Sequence, residues 1–276
     1  MATVSIITAA HAPSAGFIRE TISSVEAQIL PTGWEIEWLV QEDGNKPTLA
    51  SLFDDVARVR YSANGKQLGV GPTRNLALER ASGSLVRVLD ADDLLLPNAV
   101  ASLIPHFVNQ PIHWGISQAD DLMTDGSRVA WDPLIPVGLV KAGVINDYAI
   151  AHGANWPIHG AGLMLRTDTV RAFGGWAASP NDEDTIMFCG LGEVCDGYND
   201  PEVTWLYRQH PGQVTRTAEW KKQSDAARHT ALQRVQAIRA LRLTLNAAQL
   251  PSLEVGGGES LWVDRPMKER GEKDYL

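Results

Sequence analysis

A chain of 276 residues that is 44% hydrophobic and 21% charged has a globular composition, which excludes disordered, collagen-like and low-complexity architectures. Its 33 acidic side chains against 24 basic ones leave a net charge of -9, which repels a nucleic-acid backbone and calls for a divalent cation wherever phosphates are handled. Cys189 and Cys195, the two cysteines, fit neither a disulfide framework nor a zinc knuckle, and with no signal-like segment or ~18-residue apolar run the chain is expected to be cytoplasmic.

Residues 4–8 read as a short strand. Ile18, Ile22, Val25 and Ile29 then recur at helical spacing and predict one face of a helix, which the residues PTG at 31–33 stop. Residues 35–40 read as the next strand, ending in the acidic turn QEDG, and residues 59–61 as another. A helix is predicted over 72–80, opened by Pro72 and closed by Ser82 and Gly83. The strand at 85–89 runs straight into Asp90, Ala91, Asp92 and Asp93. This alternation predicts parallel βαβ units with helices on both faces of a sheet. Farther on, residues 114–118 and 163–166 read as strands among loops rich in glycine, proline and tryptophan. Residues 218–246 read as a helix with Leu232, Val235, Ile238, Leu241 and Leu245 on one side. From Gly256 the sequence is glycine-rich and then strongly charged, a tail expected to be flexible.

The strand ending at residue 89 delivers three carboxylates to its C-terminal end, where open α/β sheets bind ligands. Asp90 and Asp92, two apart on an extended backbone, would point the same way, and a hard cation such as Mg²⁺ or Mn²⁺ would relieve their repulsion. The competing reading is an acidic turn in which Asp93 caps a following helix. Gly69 and Gly71 begin like a dinucleotide fingerprint, but position 74 is arginine and no strand immediately precedes them. His152 and His159 flank the residues NWP, and Trp131, Trp156 and Trp176 sit in loops where a flat ring either packs in the core or stacks on a sugar.

Six segments, taken together and in order, resemble the inverting family 2 glycosyltransferases. They are VSIITAAH, WLVQEDGN, GVGPTRNLALERASG, VLDADD, residues 181–184 (NDED) and residues 205–210 (WLYRQH), spanning roughly residues 3–216. The resemblance implies the GT-A fold: an α/β architecture with a mostly parallel central sheet flanked by helices and a C-terminal helix. It divides the chain into a nucleotide-sugar-binding half (1–110), an acceptor half with the C-terminal helix (111–255) and the tail (256–276). It also implies a nucleotide-sugar donor, with a UDP-sugar favoured, and a small-molecule or glycan acceptor.

The resemblance assigns roles residue by residue. Thr8, Ala9, Ala10 and His11 lie beside the base and ribose, Asp43 accepts a hydrogen bond from the base, and Arg74 approaches the base or diphosphate. Asp90 and Ala91 hold the ribose or donor sugar, while Asp92, with His210, holds Mn²⁺ or Mg²⁺. Asp184 is the catalytic base with Glu183 second, and Trp156, His159 and Trp176 border the acceptor. The chain departs from the family at TAAH, which lacks the usual proline and asparagine, and at Glu42, where aspartate is common; both changes are expected to alter the base pocket. It also lacks the Gln-x-x-Arg-Trp motif of processive synthases, which points to transfer of a single hexose-type sugar. Two other readings stay open: a metal-dependent nucleotidyltransferase, and a catalytically silent sugar-nucleotide-binding protein.

Overall fold

A computed structural model describes residues 1–249. The chain opens with β1 (Ala2–His11), α1 (Ala15–Glu26), β2 (Trp34–Asp43), β3 (Val59–Ala63), α2 (Val70–Glu79) and β4 (Leu85–Val88). After the acidic turn come β5 (Leu94–Leu95), α3 (Ile104–Asn109), β6 (Trp114–Leu122), β7 (Arg128–Ala130), β8 (Gly138–Val140) and α4 (Val144–Ala151). The remainder is β9 (Leu163–Arg166), α5 (Thr167–Ala172), α6 (Glu183–Val194), β10 (Gly197–Arg208) and α7 (Ala218–Leu241).

One sheet in the order β3-β2-β1-β4-β9-β6-β10-β5 runs through both halves of the chain, with β7 added beside β6 and β8 beside β10. The expected parallel pairing holds from β3 to β4 and again between β6 and β10. β9 is antiparallel to both β4 and β6, so the sheet is mixed from that point. Because β9 reverses against both neighbours, β1, β2, β3, β4, β6 and β10 all run the same way. Their C-terminal ends share one edge of the sheet, and β9 begins at that same edge.

Each face of the sheet carries a core. Val4, Ile6, Trp38, Leu89, Val100, Phe107 and Trp205 pack on the α1 and α3 side. Ile7, Val86, Val88, Trp114, Trp176, Met187 and Phe188 pack on the α2 and α6 side. A smaller cluster of Ile186, Cys189, Ala227, Ala231 and Val235 joins α6 to α7.

Several strands run longer than expected, and three helices begin or end elsewhere. α1 stops at Glu26, because Gln28 turns its amide back onto the carbonyls of Ser24 and Leu96, so Ile29 leaves the helical face and is exposed. α2 starts two residues early, behind Gly69, whose φ of 90° and ψ of 168° suit glycine alone. α7 ends at Leu241, and its buried stripe is Ala227, Ala231, Val235 and Ile238, while Leu241 and Leu245 are exposed. Small side chains suit that stripe because α6 approaches closely: a Cβ on Gly190 would run into the Arg234 guanidinium. The expected tail from Gly256 lies outside the described residues. Among the described residues no helix is long and apolar enough to cross a membrane.

Candidate active site

Parallel strands deliver their last residues to one edge, so His11, Asp43, Asp90 and His210 meet there for topological reasons. The acidic turn is the centre of this edge. β4 ends at Val88, and the Asp90 carbonyl already accepts the Asp93 N–H at 3.2 Å, so the chain has turned and the alternation rule no longer applies. Asp90 and Asp92 therefore engage different partners: Asp90 meets Arg74 at 2.6 Å, and Asp92 meets His210 Nε2 at 3.0 Å. Ala91 is buried in the core, and the Thr21 hydroxyl of α1 lies 3.1 Å from the carbonyls of both Ala91 and Asp93. Asp93 caps no helix. Its buried carboxylate accepts the Arg208 backbone N–H at 2.9 Å, and burial beside Asp90 and Asp92 pushes the carboxyl well above its ordinary range.

Asp92 and His210 are the residues placed to hold a cation. Among the described residues no group of three or more His, Cys, Asp or Glu side chains is arranged to ligate a metal. A two-ligand protein site fits Mg²⁺ or Mn²⁺, which take one or two protein groups and complete their shell with substrate phosphates and water. One oxygen of Asp93 lies buried without a partner beneath the pair.

The resemblance gave Arg74 a donor contact, and the structure gives it a different task. Its guanidinium is only 4% exposed and bridges Asp90 at 2.6 Å and Glu183 at 2.5 Å, with the Trp176 ring 6.0 Å away. It joins the acidic turn of the first half to the start of α6 in the second and does not reach out toward a base. Glu183 is thereby committed. Burial and the neighbouring Asp184 push its carboxyl up to about 7, against the pull of Arg74.

That raised value has a consequence for stability. A folded-state value above the ordinary 4.5 means that the native protein holds an extra proton between about pH 4.5 and 7. Glu183 thus favours the fold below that window and loses its contribution as the pH rises through it. Melting curves of wild type and Glu183→Gln, recorded from pH 4.5 to above 7, should show the difference moving in the variant's favour as pH rises. A difference that stays constant with pH would rule out a raised Glu183.

Asp184 is half-buried at the start of α6, with one oxygen accepting the Thr185 N–H at 2.7 Å. Its other oxygen lies against Gly160, where a Cβ would overlap the carboxylate. The turn Gly160–Gly162 is thus threaded between Asp184 on one side and Trp205 on the other. Arg87, fully buried in β4, donates to the Gly162 carbonyl and fixes the far end of that turn. Desolvation without a carboxylate partner pushes this guanidinium down to about 9. His159 opens the turn with Nδ1 accepting the Ala161 N–H at 3.3 Å, which leaves Nε2 to carry the proton in the neutral ring. Its ring stands 4.7 Å from Tyr207 and 5.0 Å from Trp205, and desolvation by the surrounding walls lowers its pKa.

At the donor end, Asp43 accepts from the backbone N–H groups of Leu68 at 2.6 Å and Gly69 at 3.0 Å and from Asn64 at 3.0 Å. It holds the loop that leads into α2 and keeps one lone-pair position for a ligand. Glu42 points the other way, buried against the N–H groups of Thr48 and Leu49 and the Tyr61 hydroxyl, so it braces the loop after β2. Thr8 is buried and accepts the Trp38 indole N–H at 2.9 Å, and Ala10 is in the core, so only Ala9 and His11 of that group reach toward the edge.

Two of the three proposed acceptor residues are elsewhere. Trp176 is core, and Trp156 is wedged between clusters with its N–H on Asn146 at 2.8 Å. Glycine and proline around them mark turns over the core and not an open loop. Only His159 remains at the edge. His152, exposed just after α4, stacks on Tyr148 with centroids 3.9 Å apart, and both cysteines are buried thiols pushed up to about 12 by burial.

Asp121 and Tyr207 also stand toward this edge, and the sequence reading gave neither a role. The expected strand ended at residue 118, but β6 continues to Leu122, so the doublet Asp120 and Asp121 falls at a strand end as Asp90 does. An acidic pair after a strand was the signal that could have found it.

Residues 5–133 match the family model for glycosyl transferase family 2. Over 142 residues the chain is 30% identical to the O-antigen biosynthesis protein RfbC of Myxococcus xanthus, which covers 47% of this chain and 11% of that protein. This chain thus spans about a tenth of the length of the curated relative it matches. The S. aureus TarS 1–349 structure in complex with UDP-GlcNAc superposes with a TM-score of 0.64 at 14% identity, covering 88% of this chain and 74% of that one. The UDP complex of the same protein gives 0.59 at 16%, covering 87% and 72%. The GT-A expectation therefore holds for the fold.

Proposed function

We propose that this chain, whose residues 5–133 match the glycosyl transferase family 2 model, is a glycosyltransferase that moves a single sugar from a UDP-sugar to an acceptor hydroxyl, with inversion and with Mn²⁺ or Mg²⁺. The observation that carries the reading is the buried bridge from Asp90 through Arg74 to Glu183, which ties the acidic turn to the Glu183-Asp184 pair in one site. A nucleotidyltransferase needs no such second pair, and a silent binder needs no carboxylate seated on a glycine. UDP is favoured because TarS is described in complex with UDP and UDP-GlcNAc.

In this reading the nucleotide lies over the ends of β1 and β2, where Asp43 offers its remaining lone pair. Glu183 is held by Arg74, which leaves Asp184 as the carboxylate able to receive the acceptor proton. Gly160 and the N-terminus of α6 fix its direction. The neutral His159, whose ring feels the charges of Asp90 and Asp184, offers its Nε2–H. When bound, a divalent cation held by Asp92 and His210 offsets charge on the leaving diphosphate.

Calorimetric titration of UDP with and without Mn²⁺ tests the assignment. Wild type should bind UDP at least about tenfold more tightly with the metal, because the cation offsets diphosphate charge in an acidic protein. Asp92→Ala should show nearly equal affinities with and without it, at an unchanged melting temperature, since Asp92 is partly exposed and outside the core. A full metal effect in Asp92→Ala would refute its role.

A further inference from the structure

The parallel register between β6 and β10 pairs Ala119 with Trp205 and Asp121 with Tyr207. Paired residues of a parallel ladder share a face, so Asp121 and Tyr207 form one layer directly above a layer that is mostly buried. That face is the one bearing Leu89 and Ala91, and hence the acidic turn. Tyr207 in turn touches His159, with ring centroids 4.7 Å apart. Asp121 is half-buried and makes no side-chain hydrogen bond or ion pair within the described residues, whereas its neighbour Asp120 is paired with Arg128 at 2.6 Å. Below this layer the Trp205 indole N–H is buried without an acceptor beside Gly162, in the turn that carries His159.

Along the sheet edge the order is Asp43 on β2, His11 on β1, Asp90 after β4, His159 before β9, Asp121 on β6 and Tyr207 on β10. Two strand steps, about 10 Å, separate β4 from β6 laterally, and the registers put Ile116 level with the end of β4, so β6 carries Asp121 five residues farther out, past the place for a transferred sugar beside Asp90. What touches Asp121 is then the group beyond the sugar.

Building on the glycosyltransferase reading above, we infer that Asp121 and Tyr207 form the acceptor subsite and select a polyhydroxylated acceptor, with the Asp121 carboxylate receiving hydrogen bonds from two adjacent hydroxyls. A carboxylate has two oxygens free for such a pair. The Tyr207 ring gives the apolar flank against which a sugar's C–H face rests. The core positions of Trp156 and Trp176 leave this flank to Tyr207 and His159.

The test uses the full chain with Mn²⁺ and UDP-glucose, UDP-galactose or UDP-GlcNAc as donor. Methyl hexopyranosides serve as acceptor probes, each compared with counterparts lacking one ring hydroxyl. Wild type should prefer an intact diol by at least about tenfold in kcat/KM, as expected for a lost hydrogen bond to a charged group. Asp121→Asn should erase most of that preference by raising KM for the intact probe, while UDP affinity and melting temperature stay put. Asp121→Ser, smaller and uncharged, guards against misfolding of the first variant and should behave alike. A diol preference that survives both substitutions overturns the inference, as does a wild type that binds UDP with metal but transfers to none of the probes. Loss of metal-dependent UDP binding in wild type would instead count against the glycosyltransferase reading itself.

Discussion

Replacing Arg74 by leucine should lower the melting temperature by roughly 10 °C and abolish transfer. Arg74 and Glu183 are both buried and sit 2.5 Å apart, so deleting one partner strands the other in a medium that cannot solvate it. Breaking a buried pair in this way costs about 3–5 kcal/mol, and for a domain of this size each kcal/mol moves the midpoint by about 2–4 °C. Asp90 suffers less, because its side chain is 29% exposed and water can take over. Arg74→Lys keeps a charge but not a two-armed fork, so it should recover only part of the loss. The double variant Arg74→Leu/Glu183→Leu removes both charges and should regain most of the melting temperature while remaining inactive. That separation distinguishes a stability effect from the alignment of the two halves. A single variant that melts within about 2 °C of wild type would show that the bridge contributes little.

The framework of this fold was legible because its signals are local. The strand at residues 163–166 and the starts of β2 and β3 follow from β-rich runs bounded by turn residues, whereas β2 and β3 run on past their expected ends to Asp43 and Ala63. Tertiary relations were not legible. Helical spacing places Arg74 on α2 but carries no sign that the start of α6, 109 positions away, would close over it. Gly160 looks like any loop glycine until Asp184 is seen lying against it. β9 was found as a strand, yet its antiparallel direction depends on where the chain re-enters the sheet. The tryptophans misled because flanking glycines and prolines report backbone bends and not exposure. The structural jobs of Asp43 and Glu42, which brace the loops after β2, were likewise hidden, since a carboxylate at a strand end reads the same whether it faces ligand or backbone.

Asp184→Asn should leave UDP and metal binding intact and reduce transfer by ~10²–10⁴, the usual worth of a positioned general base. Inversion by a single displacement needs a base on the face opposite the leaving diphosphate, and three carboxylates are available at the start of α6. Asp182 is spent on structure: it is buried, accepts from the Ser224 hydroxyl at 2.5 Å and lies 3.5 Å from Arg228. Glu183 is spent on Arg74. Among the described residues Asp184 makes no ion pair and keeps an oxygen that no protein donor occupies, the one facing Gly160. Asparagine preserves its size and can still accept the Thr185 N–H, so melting temperature should hold while the proton has nowhere to go. Gly160→Ala supplies the complementary arm: it keeps the base but pushes it aside, so transfer should fall with no change in the chemistry available. Product configuration, read by NMR from the wild-type reaction, must be opposite to that of the donor. Transfer by Asp184→Asn within a few-fold of wild type, or a product that retains the donor's configuration, would remove Asp184 from this role.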